Sequence, residues 1–340
     1  MIDVLIVDDS PVARQLLEHI LSSDPELRVV GTAADGEEAL KFVAWRKPQV
    51  ITMDIEMPNM DWFEASRRIM ATKPVPIVVI TASYNPAMVN KAFAAVQAGA
   101  LAILEKPYGV NHPDYSRLAA EIIRTVKLMS EIKLVRRSRM ASPPPVVDRA
   151  PPRVVEIVAI GASTGGPQAL EAILSGLPKN YGIPLVIVQH IALGFVQGFV
   201  DWLNLTSGPR VAMARAGEQI LAGRAYVAPS GFQMGVELNR TISLKKDLEK
   251  SVFCPSVAHL FQSVIATFGK QAVGVLLTGM GDDGAKALKL MRTRGAITVA
   301  QDEASSVVYG MPAEAVKLDA AEYVLPPKQI TGLLAGFSRG

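Results

Sequence analysis

Short apolar runs alternating with amphipathic segments fill almost the whole chain, and many of those runs stop at a residue capable of chemistry. In the first part the pattern predicts strands at Val4–Val7, Arg28–Thr32, Val50–Met53, Ile77–Thr81 and Ala100–Leu104. Helical spacing lies between them, as at Val12–Leu21 and Glu37–Trp45. Runs that are apolar throughout belong to strands buried on both faces, and repeated strand–helix units close into a parallel sheet covered by helices. The alternation breaks after a predicted helix, Tyr115–Met140, which turns basic toward its end (Lys133, Arg136, Arg137, Arg139). There Ser142-Pro-Pro-Pro-Val-Val-Asp-Arg-Ala-Pro-Pro152 cannot continue a helix and predicts an extended, semi-rigid linker. From Val154 the alternation resumes, with strands expected at Val155–Ile160, Pro184–Val188, Ala225–Val227, Ile242–Leu244, Ala272–Leu277 and Thr298–Ala300. The chain of 340 residues is therefore expected to form two doubly wound α/β domains with parallel sheets, residues 1–125 and 154–340, joined by a helical and proline-rich linker over 126–153.

In the second half, the strand ending at Ile160 runs into Gly161-Ala-Ser163-Thr-Gly165, and helical spacing follows from Pro167 to Leu174. This fits G-x-S-x-G, the sharp turn that lifts a serine hydroxyl above a sheet. Two further strands deliver candidate partners. One ends in Gln189-His190, the other in Thr278-Gly-Met-Gly-Asp-Asp-Gly284. In an open parallel sheet, sites lie beyond the carboxyl ends of the strands. Ser163 is thus a candidate nucleophile, His190 its base, and Asp282 or Asp283 the acid that orients the imidazole. The backbone N–H of Thr164 follows the serine in the turn and is a candidate oxyanion donor. The order Ser–His–Asp is not the Ser–Asp–His of α/β-hydrolases, so a different fold is expected. A dinucleotide turn is excluded, because G-A-S-T-G-G is not G-x-G-x-x-G.

In the first half, Asp8-Asp9, Asp54, Thr81 and Lys106 also stand at strand ends. Three carboxylates on one rim repel one another unless a cation neutralises them. An all-oxygen ligand set of this kind suits Mg²⁺, which keeps waters and takes a phosphate oxygen. A carboxylate beside that ion can act as nucleophile toward a phosphoryl group, with Thr81 and Lys106 holding the phosphoryl oxygens.

Composition excludes several other classes. The net charge of +3 is small and dispersed, which argues against nucleic acid. One cysteine, Cys254, rules out an internal disulfide framework and fits a reducing compartment. Asp3, Asp8 and Asp9 interrupt the first apolar run, unlike a secretory leader, and no run reaches membrane-spanning length. These features together predict a cytoplasmic protein. His19, His112 and His259 do not pair at metal-ligand spacing, so no zinc is expected.

The motifs carry a resemblance. Asp8-Asp9, Met53-Asp-Ile-Glu-Met-Pro-Asn-Met-Asp61, Thr81-Ala-Ser and Lys106-Pro resemble a two-component receiver domain. Ile160-Gly-Ala-Ser-Thr-Gly-Gly-Pro167, Gln189-His190, Gly194-Phe195, Tyr226-Val-Ala-Pro229, Pro255-Ser-Val257, Leu277–Gly284 and Gly310-Met-Pro312 resemble the catalytic domain of chemotaxis protein-glutamate methylesterases (CheB family). The resemblance implies hydrolysis of glutamate methyl esters on the cytoplasmic helices of chemoreceptors, with release of methanol, and deamidation of receptor glutamines. It places the triad acid on Asp283 and a second oxyanion donor at the Met280 N–H. It also implies phosphorylation of Asp54 by a histidine kinase, with Mg²⁺ in the receiver, no cofactor in the esterase site, and relief of inhibition by a docked receiver. Membrane association would come only through the receptor. A non-catalytic scaffold that docks receptor or kinase is the alternative. Trp62 stands where receivers usually carry Gly, and Ile103 where they carry an aromatic switch residue. In the esterase half, Trp202 replaces an arginine, Gln233 a histidine and Ala258 an aspartate. Trp62 is read either as a packed loop anchor or as part of an altered partner surface.

Overall fold

The computed structural model describes residues 1–60, 62–81, 100–131, 154–191, 194–246 and 253–337. The chain separates into two compact units, Met1–Met140 and Ala141–Gly340. The proline-rich stretch predicted as linker, and the helix predicted beyond Glu131, lie outside the described residues. Among the described residues no helix is long and apolar enough to cross a membrane.

The first unit holds five strands, β1 Ile2–Val7, β2 Leu27–Ala33, β3 Val50–Met53, β4 Ile77–Thr81 and β5 Ala100–Glu105. They order as β2-β1-β3-β4-β5, all parallel. Strands β3 and β4 are buried at every position, which is why they read as unbroken apolar runs. Helices Pro11–Ser22 and Tyr115–Ser130 pack together, as do Gly36–Trp45 and Trp62–Thr72. Ser10 caps the first of these helices by accepting from Ala13 N (3.3 Å), and Pro11 follows it, where a missing N–H costs nothing. Trp62 is 2% exposed, so it is a packed anchor at the start of its helix rather than a surface for partners. Ile103 is half-buried in β5, paired with Val79 of β4.

The second unit holds a seven-stranded sheet and a hairpin. Its strands are β6 Ile157–Ala162, β7 Leu185–Gln189, β8 Arg210–Met213, β9 Arg224–Val227, β10 Phe232–Val236, β11 Ile242–Lys246, β12 Ala272–Leu276, β13 Ile297–Gln301 and β14 Tyr323–Leu325. The sheet is parallel throughout, in the order β14-β13-β12-β6-β7-β9-β8. Here the expectation of parallel sheets needs one refinement. The predicted strand at Ile242–Leu244 pairs antiparallel with β10 in a separate hairpin. A tight turn causes this: Arg240 takes a left-handed φ of 64° and its N–H returns to Glu237 O (2.8 Å), which reverses the chain within a few residues. Helices Val257–Phe268, Ala285–Thr293 and Met311–Lys317 form one packed group, and Gly166–Leu174, Val196–Thr206 and Pro327–Ala335 another. Trp202 is buried in the second group, with its ring 6.1 Å from that of Phe199.

Candidate active site

Strand β6 is buried at all six positions, and the turn that follows it sets Ser163. Gly165 takes a left-handed φ of 77°, and a Cβ there would lie 2.4 Å from Val307 Cβ; only glycine meets both conditions. Register fixes the neighbour. Ala162 pairs with Gln189 on β7, and His190 N donates to Ala162 O (2.9 Å), so Ser163 and His190 leave adjacent strand ends. Gln189 is almost fully buried, and its amide Nε2 donates to Ser163 O and to His190 O, both at 2.8 Å. One side-chain amide thereby ties the two turns together.

The third strand end closes on the same place. Ser163 N donates to Thr278 O (3.0 Å) beyond β12. The buried Thr278 hydroxyl donates to Thr164 O (2.9 Å) and accepts from Val308 N (2.9 Å). Gly279 lies so close to the serine that an added Cβ would sit 2.7 Å from Ser163 Cβ and 2.4 Å from Met311 Sδ. Met280 follows it, and both Met280 and Thr164 are half-buried.

The loop then delivers two adjacent acids to different surroundings. Asp282 is exposed. Asp283 is 7% exposed and its Oδ2 lies 3.0 Å from His190 Nε2. The same carboxylate accepts from Val257 N (2.7 Å), Ala258 N (3.0 Å) and the Ser256 hydroxyl (3.0 Å). It therefore occupies the N-terminal end of helix Val257–Phe268, where the orphan N–H groups and the helix dipole favour an anion. Burial pushes its carboxyl up, but the hydrogen bond and charge of His190, with the Ala258 and Val257 N–H groups, outweigh burial and hold it below the usual carboxylate range. Ala258, in the place of an aspartate, thus takes part through its backbone. Phe253 stacks on the His190 ring, with centroids 4.9 Å apart and planes 3° from parallel.

Gln189, Thr278, Ser256 and Phe253 are contributors to which the sequence alone assigned no role. Ser256 carried a usable signal, since a serine before an apolar helical run is an N-cap pattern. Phe253 carried none.

In the first unit, one ligand atom from each of Asp8, Asp9 and Asp54 lies within 4.8 Å of the others. Asp8 and Asp54 are buried and Asp9 exposed. Lys106 reaches Asp8 Oδ2 at 2.7 Å and Asp54 Oδ2 at 2.5 Å. Burial opposes its charge, yet the pull of Asp54 and Asp8 prevails and raises its pKa, while burial pushes the Asp8 carboxyl up. Thr81 is buried at the end of β4, and its carbonyl accepts from Lys106 N (2.9 Å). All five predicted receiver residues therefore belong to neighbouring strand ends. The donor set is oxygen alone, with Asp9 exposed, which fits Mg²⁺.

Comparison with known proteins adds to this geometry. Residues 158–334 match the family described as CheB methylesterase, and residues 4–112 match the response regulator receiver domain. The chain is 51% identical over 345 residues to protein-glutamate methylesterase/protein-glutamine glutaminase 1 of Syntrophus aciditrophicus, covering 98% of this chain and 97% of that one. It is 50% identical over 343 residues to the protein-glutamate methylesterase/protein-glutamine glutaminase of Nitrosospira multiformis, covering 98% and 96%. The crystal structure of the Thermotoga maritima CheB methylesterase catalytic domain superposes with a TM-score of 0.52 at 34% identity, over 54% of this chain and 98% of that one.

Proposed function

The chain belongs to the CheB methylesterase family and carries a response-regulator receiver ahead of the catalytic part, and on that premise we propose that Ser163, His190 and Asp283 perform its chemistry. The activity is phosphorylation-regulated demethylation of protein glutamate methyl esters and deamidation of protein glutamines. The observation that carries the residue assignment is the 3.0 Å contact between His190 Nε2 and an Asp283 carboxylate already met by three other donors.

An ionised carboxylate only accepts hydrogen bonds, so that contact puts the imidazole proton on Nε2 and leaves Nδ1 as the base. Ser163 Oγ attacks the ester carbonyl carbon and gives its proton to Nδ1. The tetrahedral oxyanion is received by the N–H groups of Thr164 and Met280, and losing one such donor costs about 10²–10³ in kcat. His190, now cationic and stabilised by Asp283, returns the proton to the leaving methoxide oxygen. Methanol departs, and water activated by the same nitrogen splits the acyl-enzyme to give the glutamate carboxylate and free serine. With a glutamine side chain the leaving group is ammonia.

The proposed substrates are the cytoplasmic helices of chemoreceptors. The protein would then work in the cytoplasm, reaching the membrane through its receptor and binding no nucleic acid. The receiver takes its phosphoryl group from a histidine kinase. We assign Asp54 as the acceptor and Asp8, Asp9 and Asp54 as the residues that would hold Mg²⁺, which when bound neutralises phosphoryl oxygens. Thr81 and Lys106 would hold those oxygens from the protein side. In domain terms the receiver spans 1–125, the linker 126–153 and the esterase 154–340, whose site needs no cofactor.

Methanol release from methylated receptor membranes tests the assignment. Ser163→Ala is expected to abolish release while leaving the unfolding midpoint within the error of the parent, since a half-exposed turn hydroxyl bears little packing. Turnover by Ser163→Ala at the parent rate would remove the serine from the mechanism.

A further inference from the structure

The hydrogen bond from His190 Nε2 to Asp283 fixes one ring nitrogen, yet an imidazole held at a single point can still swing about that bond. Its plane is set by Phe253, whose ring lies parallel to it at 4.9 Å. Phe253 lies on the segment leading to Ser256, which caps helix Val257–Phe268 and donates its hydroxyl to Asp283 (3.0 Å). One short segment therefore supplies both the face of the imidazole and a ligand of its carboxylate partner. Gln233 bridges the two ends of that segment. Its Nε2 donates to Phe253 O (2.8 Å) and its Oε1 accepts from Ser256 N (2.8 Å), so both ends of one amide are engaged. Gln233 sits on β10, in the hairpin outside the seven-stranded sheet. That hairpin is anchored on the helix that Ser256 caps, through Val236 N to the Ser263 hydroxyl (3.0 Å) and the Thr267 hydroxyl to Val236 O (3.3 Å). The approach is close, since a Cβ on Gly235 would lie 3.2 Å from Ser263.

We propose that Gln233 is a positioning residue for His190, acting through Phe253 and Ser256 without touching the reacting atoms. The inference rests on the reading of Ser163, His190 and Asp283 as the catalytic set. A primary amide suits the task because it offers a donor and an acceptor side by side at every working pH. Its loss loosens the Phe253 end of the segment, while Ser256 keeps its bond to Asp283 and the nucleophile stays in place. The cost therefore falls on kcat, where imidazole orientation matters, and not on KM.

The full-length protein is assayed for methanol release from methylated receptor membranes with a phosphodonor present. Gln233→Met keeps the length and removes both hydrogen bonds; Gln233→Glu keeps the acceptor and removes the donor. Each is expected to lower kcat ten-fold or more with KM within two-fold of the parent. Phe253→Leu alone should lower kcat similarly, and the Gln233→Met/Phe253→Leu pair should be no worse than the poorer single variant, because both act through one contact. The His190 ring protons, shielded by the Phe253 face, should move downfield alike in Gln233→Met and Phe253→Leu. A Gln233→Met protein with kcat within two-fold and unmoved His190 signals overturns the proposal, as do a defect confined to KM or multiplicative losses in the pair. If Gln233→Met does not fold, Gln233→Glu and Phe253→Leu decide by the same criteria. Ser163→Ala separates the two levels: an inactive Ser163→Ala beside an unaffected Gln233→Met sinks this inference alone, whereas an active Ser163→Ala sinks the catalytic set beneath it.

Discussion

Asp283 shows how much a single buried charge asks of its surroundings. A carboxylate taken out of water becomes neutral unless cations or N–H groups stabilise its ionised form, and here four donors do so. Removing the charge should therefore cost both chemistry and stability. Asp283→Asn is expected to lower methanol release by about 10²–10⁴-fold, because the amide no longer enforces the Nε2–H tautomer. Asp282→Asn, on an exposed side chain, should stay within two-fold. If Asp282→Asn is the inactive variant, the adjacent acids have been assigned the wrong way round. The depressed pKa of Asp283 also has a thermodynamic sign. A carboxyl lowered on folding contributes stability that is complete above its unfolded value of about 3.9 and is lost as pH falls through the folded value. Urea unfolding of the parent and of Asp283→Asn should thus show a gap that narrows as pH falls below about 4, and a gap that widens over that acid range would contradict the assignment. At this scale the sequence was legible only in part. Strand ends and spacing brought out Ser163 and His190 but left Asp282 and Asp283 equivalent, and only the family resemblance pointed to Asp283, because adjacent residues on a loop share every periodicity and differ in what the fold places beside them.

Parallel strands buried on both faces announce themselves, and β6, β7 and β12 are buried throughout. Their carboxyl ends carry the candidate site, so finding the strands located most of the chemistry. The edge strand β8 was not legible, since Arg210–Met213 is short and exposed at both ends, with Val211 its one buried residue. Nor was β10, whose partner lies across a tight turn in a separate hairpin. The contacts of Gln233 with Phe253 and Ser256 join segments far apart in sequence, and no periodicity encodes them. Close backbone approach is likewise invisible until strands are assembled, and it yields a sharp expectation at Gly279. A methyl group there meets Ser163 Cβ at 2.7 Å and Met311 Sδ at 2.4 Å. Gly279→Ala should cost about 1–3 kcal/mol in unfolding free energy and lower methanol release by displacing the serine turn. Gly217→Ala is a useful contrast, because nothing lies within 4 Å of its added Cβ. Its left-handed φ of 75° still imposes strain, so it should lose stability while keeping activity. Equal activity losses in the two variants would show that the Gly279 contact is not what holds Ser163.

Across the whole molecule, two units of the same architectural class present their reactive groups at strand carboxyl ends, one with a carboxylate suited to accept a phosphoryl group and one with a serine suited to accept an acyl group. The family to which the chain belongs makes the first a control on the second. A phosphoryl group can change the esterase only if the active and inactive states differ in free energy with and without it. Methanol release from methylated chemoreceptor membranes by the full-length chain, with and without a small-molecule phosphodonor, tests this coupling directly. The parent should be stimulated several-fold by the donor, Asp54→Ala should show a basal rate that the donor leaves unchanged, and Ser163→Ala should release nothing under either condition. A donor that stimulates Asp54→Ala as strongly as the parent, or fails to stimulate the parent at all, would contradict the account.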